Sequence, residues 1–342
     1  MAEENSSRYC KVCVTGGAGY IASSLIKHLL NNGSYFVHAT LRNLGDTEKL
    51  SRLTKIPGAE TRLKVFEADV FNPQQFEAAI RDCQFVFHVA SPFVFPKNSQ
   101  FKDISEAAIA SVLGIAKLCI ESGTVKRLIY TASVVGVSPL KDDGNAFMDF
   151  IDETCWTPLH IPLVTSSIHK DYIISKTEAE RALLKLEEGS KMEVVTLALG
   201  LVAGEASRSH YHEYSSPALI VSQITKSEFG NSSLKLLEQL LGKLPILHIE
   251  DACQALIFSM VKDSLHGRFL CASDYVSSAE IAHYFHKNYP EFQVQQVHMD
   301  GPTNSNIKWA STKLIDEGFN YNHDMKSILD DSLKNVRRFN GL

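Results

Sequence analysis

A tyrosine and a lysine stand four residues apart in Tyr172-Ile173-Ile174-Ser175-Lys176. On a helix that spacing puts both side chains on one face. An ammonium beside a phenol favours the phenolate, lowering a tyrosine pKa from about 10. The result is a proton donor and acceptor usable near neutrality. Such pairs also occur by chance on exposed helices. The weight comes from order along the chain: Ser133 closes the apolar run Lys126-Arg127-Leu128-Ile129-Tyr130-Thr131-Ala132-Ser133. A hydroxyl there could bond a substrate oxygen and set it beside Tyr172.

A second stretch supplies a place for phosphate. Lys11-Val12-Cys13-Val14 runs into Thr15-Gly16-Gly17-Ala18-Gly19-Tyr20-Ile21, and Leu25, Ile26, Leu29 and Leu30 then fall on one helical face. Strand, glycine turn and helix in that order present backbone N–H groups at the positive end of a helix dipole, where a dinucleotide pyrophosphate fits. Gly16 allows the turn, Gly19 lets backbone approach phosphate, and small Ala22 lets the helix pack on the strand. Thr15, Gly16, Gly17, Gly19, Tyr20 and Ile21 are the expected contacts.

After the second apolar run, Phe36 to Leu41, the chain has Arg42 where an acid would hold a ribose 2′-hydroxyl. A guanidinium suits a 2′-phosphate. Arg42 with Lys49 therefore points to NADP(H) over NAD. Asp69 could bond the adenine amino group with Val70 against the ring; it could equally cap a helix from Pro73 to Ile80. Small Ala90 and Ser91, after Val89, leave room for ribose and phosphate. Lys176 could also hold the nicotinamide ribose. His88, inside a strand pattern, reads as a core histidine.

Stepping from strand pattern to helix pattern repeats through the first two-thirds of the 342 residues. Expected strands lie at Leu63–Val70, Phe85–Pro92, Lys126–Ser133 and Val194–Leu199, with helices at Ile104–Glu121 and Asp171–Leu186. That alternation predicts an α/β fold with a doubly wound, Rossmann-type parallel sheet and a smaller C-terminal α/β substrate lobe. The expected division is a disordered leader (1–8), a nucleotide-binding core (9–204) and a mainly substrate-binding part (205–342) with some segments returning to the core. Ligands in such folds sit beyond the carboxyl ends of the strands, so the cleft is expected between sheet and lobe.

Composition excludes other classes. A net charge of −5 gives no electrostatic case for nucleic acid. No apolar run approaches a membrane span. The polar, acid-bearing start is neither a secretory signal nor a transit peptide. Seven scattered cysteines, with Cys10-x-x-Cys13 inside the first strand pattern, read as reduced buried thiols in a cytoplasmic protein. The triplets at Asn5 and Asn231 are then chance matches to a glycosylation site. His210-Tyr211-His212 beside Glu213 lacks a second ligand cluster, so no metal is expected. In His248-Ile249-Glu250-Asp251, Glu250 or Asp251 should cap a helix from Ala252 to Met260. Asp274 and Tyr275 read as loop, and Asp316-Glu317-Gly318-Phe319 as a helix end with a glycine cap.

The glycine turn, Phe87-His88-Val89-Ala90-Ser91-Pro92, Val125-Lys126-Arg127, Ser175-Lys176-Thr177-Glu178-Ala179-Glu180, His248-Ile249-Glu250-Asp251 and Gly267-Arg268-Phe269 together resemble the extended short-chain dehydrogenase/reductases. The similarity covers nearly the whole chain. It is closer to the plant dihydroflavonol reductase group, on the anthocyanidin reductase side, where Ala22 replaces a third glycine. The resemblance implies a Ser133–Tyr172–Lys176 triad, phosphate contacts at Arg42 and Lys49, adenine contacts at Asp69 and Val70, and a monomer. It also implies a nicotinamide neighbour at Leu199 and a substrate wall that includes Ser138, Tyr211 and Tyr214, while His169, just before Tyr172, could touch substrate by its position. Ser138 stands where dihydroflavonol reductases carry asparagine, and Leu199-Gly200 stands for an expected Pro-Thr. Lys170-Asp171-Tyr172-Ile173 lacks the Asn-Trp-Tyr-Cys run of cinnamoyl-CoA reductases.

The expected activity is NADPH-dependent reduction of a flavonoid-like aromatic small molecule, with Tyr172 as proton donor. Two alternatives remain at this stage. One is an NAD(P)-dependent dehydrogenase oxidising an alcohol or hemiacetal of an alkaloid or terpenoid; the other is a catalytically idle NADP sensor.

Overall fold

The computed structural model describes residues 9–92, 95–96, 99–161, 167–187, 191–212, 214–295 and 306–339. The expected leader with Asn5, and Glu213 beside the histidine pair, lie outside the described residues. The strands are β1 (Cys10–Val14), β2 (Tyr35–Leu41), β3 (Leu63–Glu67), β4 (Phe85–His88), β5 (Arg127–Ser133) and β6 (Phe150–Ile151). They continue as β7 (Glu193–Leu199), β8 (Leu201–Ala203), β9 (Leu244–His248), β10 (Gly267–Cys271), β11 (Asp274–Val276) and β12 (Lys308–Trp309). Helices of eight residues or more begin with α1 (Tyr20–Asn32), α2 (Thr47–Thr54), α3 (Ile104–Ser122) and α4 (Ser167–Glu187). They end with α5 (Glu228–Leu241), α6 (Ile249–Val261), α7 (Ser278–Asn288) and α8 (Met325–Phe339).

The chain forms two compact units. The first comprises Met1–Ala132, Ile174–Leu197 and Cys253–Arg268. It carries most of a seven-stranded sheet of order β10-β7-β5-β4-β1-β2-β3. The pairings β1–β2, β1–β4, β2–β3 and β4–β5 are parallel. This is the expected doubly wound α/β sheet. The order reverses between β1 and β4, and open α/β sheets take their ligands at such a switch point, beyond the carboxyl ends of the strands. Here those ends are Val14, followed by the glycine turn, and His88, followed by Val89-Ala90-Ser91. Val12, Cys13 and Val14 are fully buried, as are Leu25, Ile26, Leu29 and Leu30, so the helical face read from the sequence is the one that packs.

Arg127 ties this unit together. Its buried guanidinium donates to the carbonyls of Ser259 (2.6 Å), Met260 (3.2 Å), Lys262 (2.8 Å) and Asp263 (3.3 Å), and Nε donates to Glu193 at 2.8 Å. The last carbonyls of α6 have no intrahelical donors, and a cation there also meets the negative end of the helix dipole.

The second unit comprises Ser133–Ile173, Ala198–Ala252 and Phe269–Leu342. It holds a three-stranded sheet of order β11-β9-β8 and a two-stranded pair, β12-β6. Asp274 and Tyr275, expected in a loop, form β11 against Ile246 and Pro245 of β9. A three-residue strand carries no readable periodicity; pairing with fully buried β9 decides it. Helix α6 begins earlier than expected, at Ile249, so Glu250 and Asp251 lie in its first turn. The ring of His248 meets the Glu250 N–H instead (3.2 Å to Nδ1). Asp251 accepts from the Asn322 N–H (3.1 Å) and the His323 N–H (3.0 Å), pinning a distant segment. Gly318 does end its helix, with φ 104°.

Pro73–Ile80 is a 3₁₀ turn followed by one α turn. Asp69 does not cap it: Oδ1 of Asp69 accepts from Phe71 N (3.1 Å), and Asn72 holds the cap position. All seven cysteines are free thiols, six of them buried. Among the described residues no helix is long and apolar enough to cross a membrane, and no cluster of three or more His, Cys, Asp or Glu could hold a metal.

Candidate active site

In the first unit, Gly16 adopts φ +69°, and a Cβ there would lie 3.0 Å from the Cβ of Ala90. Only glycine takes this conformation readily and fits this approach. Gly16 N donates to Thr40 Oγ1 (3.1 Å) and Gly17 N to Thr40 O (2.8 Å), which spends those two N–H groups on the sheet. Gly19 is exposed and occupies the cap position of α1, which no side chain caps. The open helix terminus suits an anion. Tyr20, Ile21, Val89, Ala90 and Ser91 are half-buried around the same end of the sheet.

The expected phosphate contacts separate. Arg42 is exposed, and no hydrogen bond or ion pair occupies it among the described residues. Lys49 is engaged locally: its ammonium lies 2.7 Å from Asp46, the residue capping α2. Asp69 and Val70 are half-buried beyond β3, with Gln75 Oε1 on the Asp69 N–H at 2.8 Å.

Lys176 is buried in the first unit. Its ammonium donates to Ser91 Oγ (2.8 Å) and Thr131 O (2.9 Å) and lies 5.1 Å from the ring centroid of Tyr130. Burial lowers its pKa to about 8, with Glu180 one helical turn away acting in the opposite direction. Glu180 is itself fully buried and accepts from Thr196 and Arg268.

In the second unit, Ser133 and Tyr172 are hydrogen-bonded. Ser133 also caps a 3₁₀ turn, accepting from Val135 N at 3.4 Å. Burial raises the Tyr172 pKa and the Ser133 bond pulls it partly back. The direction differs from the expectation of a phenol lowered by lysine. Desolvation penalises whichever form is charged, so it moves the phenol up and the lysine down.

Other expected substrate contacts differ in exposure. Ser138 is fully buried; its hydroxyl donates to Leu240 O, and its N–H donates to Thr157 Oγ1 at 3.0 Å. Tyr211 is buried against Phe339, with ring centroids 5.6 Å apart. Leu199 is buried at the end of β7. Gly200 follows it, and a Cβ there would come 2.7 Å from Pro245 O, which is why this position has no side chain. His169 stacks on Phe229 (4.9 Å), and Tyr214 meets the same ring edge-on (4.6 Å) while remaining half-exposed. Phe229 escaped the sequence reading, because only the tertiary fold brings it to His169. Its aromatic character on a helix beginning was the sole available signal.

Known proteins resemble the chain over nearly its whole length. Residues 12–271 match the NAD dependent epimerase/dehydratase family. A putative anthocyanidin reductase of Ginkgo biloba is 36% identical over 326 residues, covering 95% of this chain and 94% of that protein. A (2S)-flavan-3-ol-forming anthocyanidin reductase of Vitis vinifera is 35% identical, covering 98% and 97%. The crystal structure of vestitone reductase from Medicago sativa superposes with a TM-score of 0.78 at 30% identity, covering 97% of this chain and 99% of that one. With its glycine turn, doubly wound sheet and near-complete coverage by named reductases, the chain belongs to the NAD dependent epimerase/dehydratase family, as an oxidoreductase of the extended short-chain type that takes a nicotinamide cofactor.

Proposed function

We propose that this protein is an NADPH-dependent reductase acting on a carbonyl or conjugated carbon of a flavonoid-like plant metabolite. The observation that carries the reading is the Ser133–Tyr172 hydrogen bond, with Lys176 one helical turn further along α4. When bound, the cofactor supplies the hydride. Tyr172, kept protonated at neutral pH by burial, gives its proton to the substrate oxygen. A raised phenol suits reduction, where the donor must start protonated. Ser133 orients the same oxygen. Lys176, fixed on Ser91 and Thr131, offsets the negative charge that the phenol acquires and holds the ribose. Thr15 through Ile21, with Val89 to Ser91, receive the pyrophosphate and ribose. Unoccupied Arg42 meets the 2′-phosphate, with Lys49 released from Asp46 to assist. Asp69 and Val70 meet the adenine, and Leu199 the nicotinamide.

The substrate class rests on the aromatic group His169, Phe229 and Tyr214, which offers flat apolar surface. It also rests on relatives named anthocyanidin reductase and vestitone reductase. Tyr172→Phe tests the mechanism: turnover should fall ~100-fold or more while NADPH affinity is kept. Undiminished turnover would overturn it. Candidate alcohols with NADP⁺, assayed beside candidate carbonyls with NADPH, fix the direction, and cofactor binding with no turnover on either would return the idle sensor.

A further inference from the structure

Thr15, the first residue after β1, and His88, the last residue of β4, face each other across the switch point. Thr15 Oγ1 lies 3.0 Å from His88 Nδ1, 3.0 Å from Val89 N and 3.0 Å from Ala90 N. A hydroxyl has one proton and two lone pairs. The two backbone N–H groups take both lone pairs, so the single Thr15 proton goes to His88 Nδ1. His88 must therefore be neutral, with its own proton on Nε2. Burial, and the nearby Lys176 charge, agree by pushing the imidazole down to about 3. The opposite tautomer would place three donors on one oxygen and leave the Thr15 proton without an acceptor.

What this hydroxyl clamps is the backbone leading to Ser91. Val89 and Ala90 are its two donors, Ala90 is the residue Gly16 packs against, and Ser91 Oγ accepts from the Lys176 ammonium. Thr131 closes the other side: its hydroxyl donates to His88 O (3.3 Å), and its carbonyl is the second acceptor for Lys176. The charged groups set around His88 are Lys176 and, through Lys176, Glu180. Tyr130 lies between, its ring centroid 5.5 Å from that of His88.

We infer that His88 is a positioning residue of the cofactor site: by accepting the hydrogen bond from the Thr15 O–H it fixes the Thr15 hydroxyl on the β4 exit, and so places Ser91 to hold Lys176. This rests on the proposed role of Lys176 toward the nicotinamide cofactor. A neutral acceptor at the δ position is what matters, so asparagine, whose side-chain oxygen lies near the place of Nδ1, should substitute for it and leucine should not.

The test uses the intact chain and NADPH as the probe, with binding read by fluorescence between pH 6 and 9. His88→Leu and Thr15→Val should each weaken NADPH binding about tenfold, the effect of one lost hydrogen bond. The double variant should bind no more weakly than the weaker single, because both remove one device. His88→Asn should stay within about twofold of wild type. In His88→Leu the pH at which binding weakens should also fall, since a loosened Ser91 favours the Lys176 ammonium less. Multiplying effects, or wild-type affinity in His88→Leu, would overturn the inference. Should the leucine variant fail to fold, imidazole ¹⁵N spectra of the wild type decide. An Nε2–H tautomer unchanged from pH 5 to 8 supports the inference, and an Nδ1–H tautomer or a titration in that range refutes it. Lys176→Met separates the two ideas: if its NADPH affinity matches wild type at every pH, the reading of Lys176 fails, and the Thr15–His88 coupling is judged from the affinities at pH 7 alone.

Discussion

Glu180 and Arg268, 88 residues apart in the chain, form a buried two-pronged pair: Nε to Oε1 at 3.1 Å and Nη2 to Oε2 at 3.2 Å, with Thr196 Oγ1 adding a third bond at 2.7 Å. The carboxylate is fully buried and the guanidinium nearly so. Removing one partner leaves the other charge stranded, which costs about 3–5 kcal/mol, whereas exchanging both for apolar groups can be neutral. Arg268→Met should therefore destabilise strongly in urea unfolding, and adding Glu180→Leu should restore much of the loss. Glu180→Gln should also act on Lys176. Because Glu180 opposes the drop in the lysine pKa, its neutralisation should push that pKa below about 8 and make NADPH binding weaken at a lower pH. An unmoved pH profile would show that Glu180 serves packing alone.

The proposed 2′-phosphate contact makes Arg42 the position at which to test cofactor choice. A charge-assisted hydrogen bond contributes about 1.5–3 kcal/mol, or roughly 10- to 100-fold in affinity. Arg42→Ala should raise the NADPH dissociation constant by that factor and leave the NADH constant nearly unchanged, as read by fluorescence titration. Equal losses for both cofactors would assign Arg42 to the shared part of the dinucleotide.

The stacked pair His248 and His323, with ring centroids 3.9 Å apart, predicts an acid-sensitive fold. His248 Nδ1 accepts from Glu250 N and Nε2 faces Asp331 Oδ2 at 3.2 Å, so this ring too is neutral. Burial, reinforced by the charge of His323, lowers its pKa, while Asp331 and Asp251 raise it. An unfolded histidine gains its proton near pH 6.5; the folded one does not until lower pH. Acidification through that window thus favours the unfolded chain. The thermal midpoint should fall between pH 7.5 and 5, and His248→Gln, which keeps a donor for Asp331, should flatten the fall by a few degrees.

Two glycines beside this region should resist any side chain. Gly204 has φ +119°, and a Cβ would come 2.7 Å from His248 Nε2; a Cβ at Gly200 would meet the Pro245 carbonyl at the same distance. Gly204→Ala should cost about 1–3 kcal/mol from backbone strain alone. Gly200→Thr, the residue expected from the wider group, should lower the thermal midpoint by several degrees unless β9 shifts.

Much of this was readable in the chain. The β1–turn–α1 unit and the strand–helix alternation announce themselves through periodicity and glycine spacing, and both the sheet and the packed face of α1 follow from them. The signature runs were legible as well, but not their partners. Arg127, Glu180, Arg268, His88 and Asp251 each act on a group scores of residues away in sequence, or on a neighbouring strand, and no local pattern encodes that. Burial was the second hidden quantity. It turned Ser138 inward, raised Tyr172 and lowered Lys176, all against or beyond what residue type and spacing say. β11 was missed because three residues held by a neighbour have no rhythm of their own.

The Arg127 guanidinium, reaching from β5 to the carbonyls that end α6, makes the first unit a stitched object. Its three chain segments cannot be excised as one continuous fragment. A truncation after β7 would leave that strand an open edge and Arg127 a buried cation with its Glu193 partner but none of its carbonyls. Inserted modules and split-protein junctions would accordingly have to respect residues 253–268 as part of the first unit, although they come long after most of it in the chain.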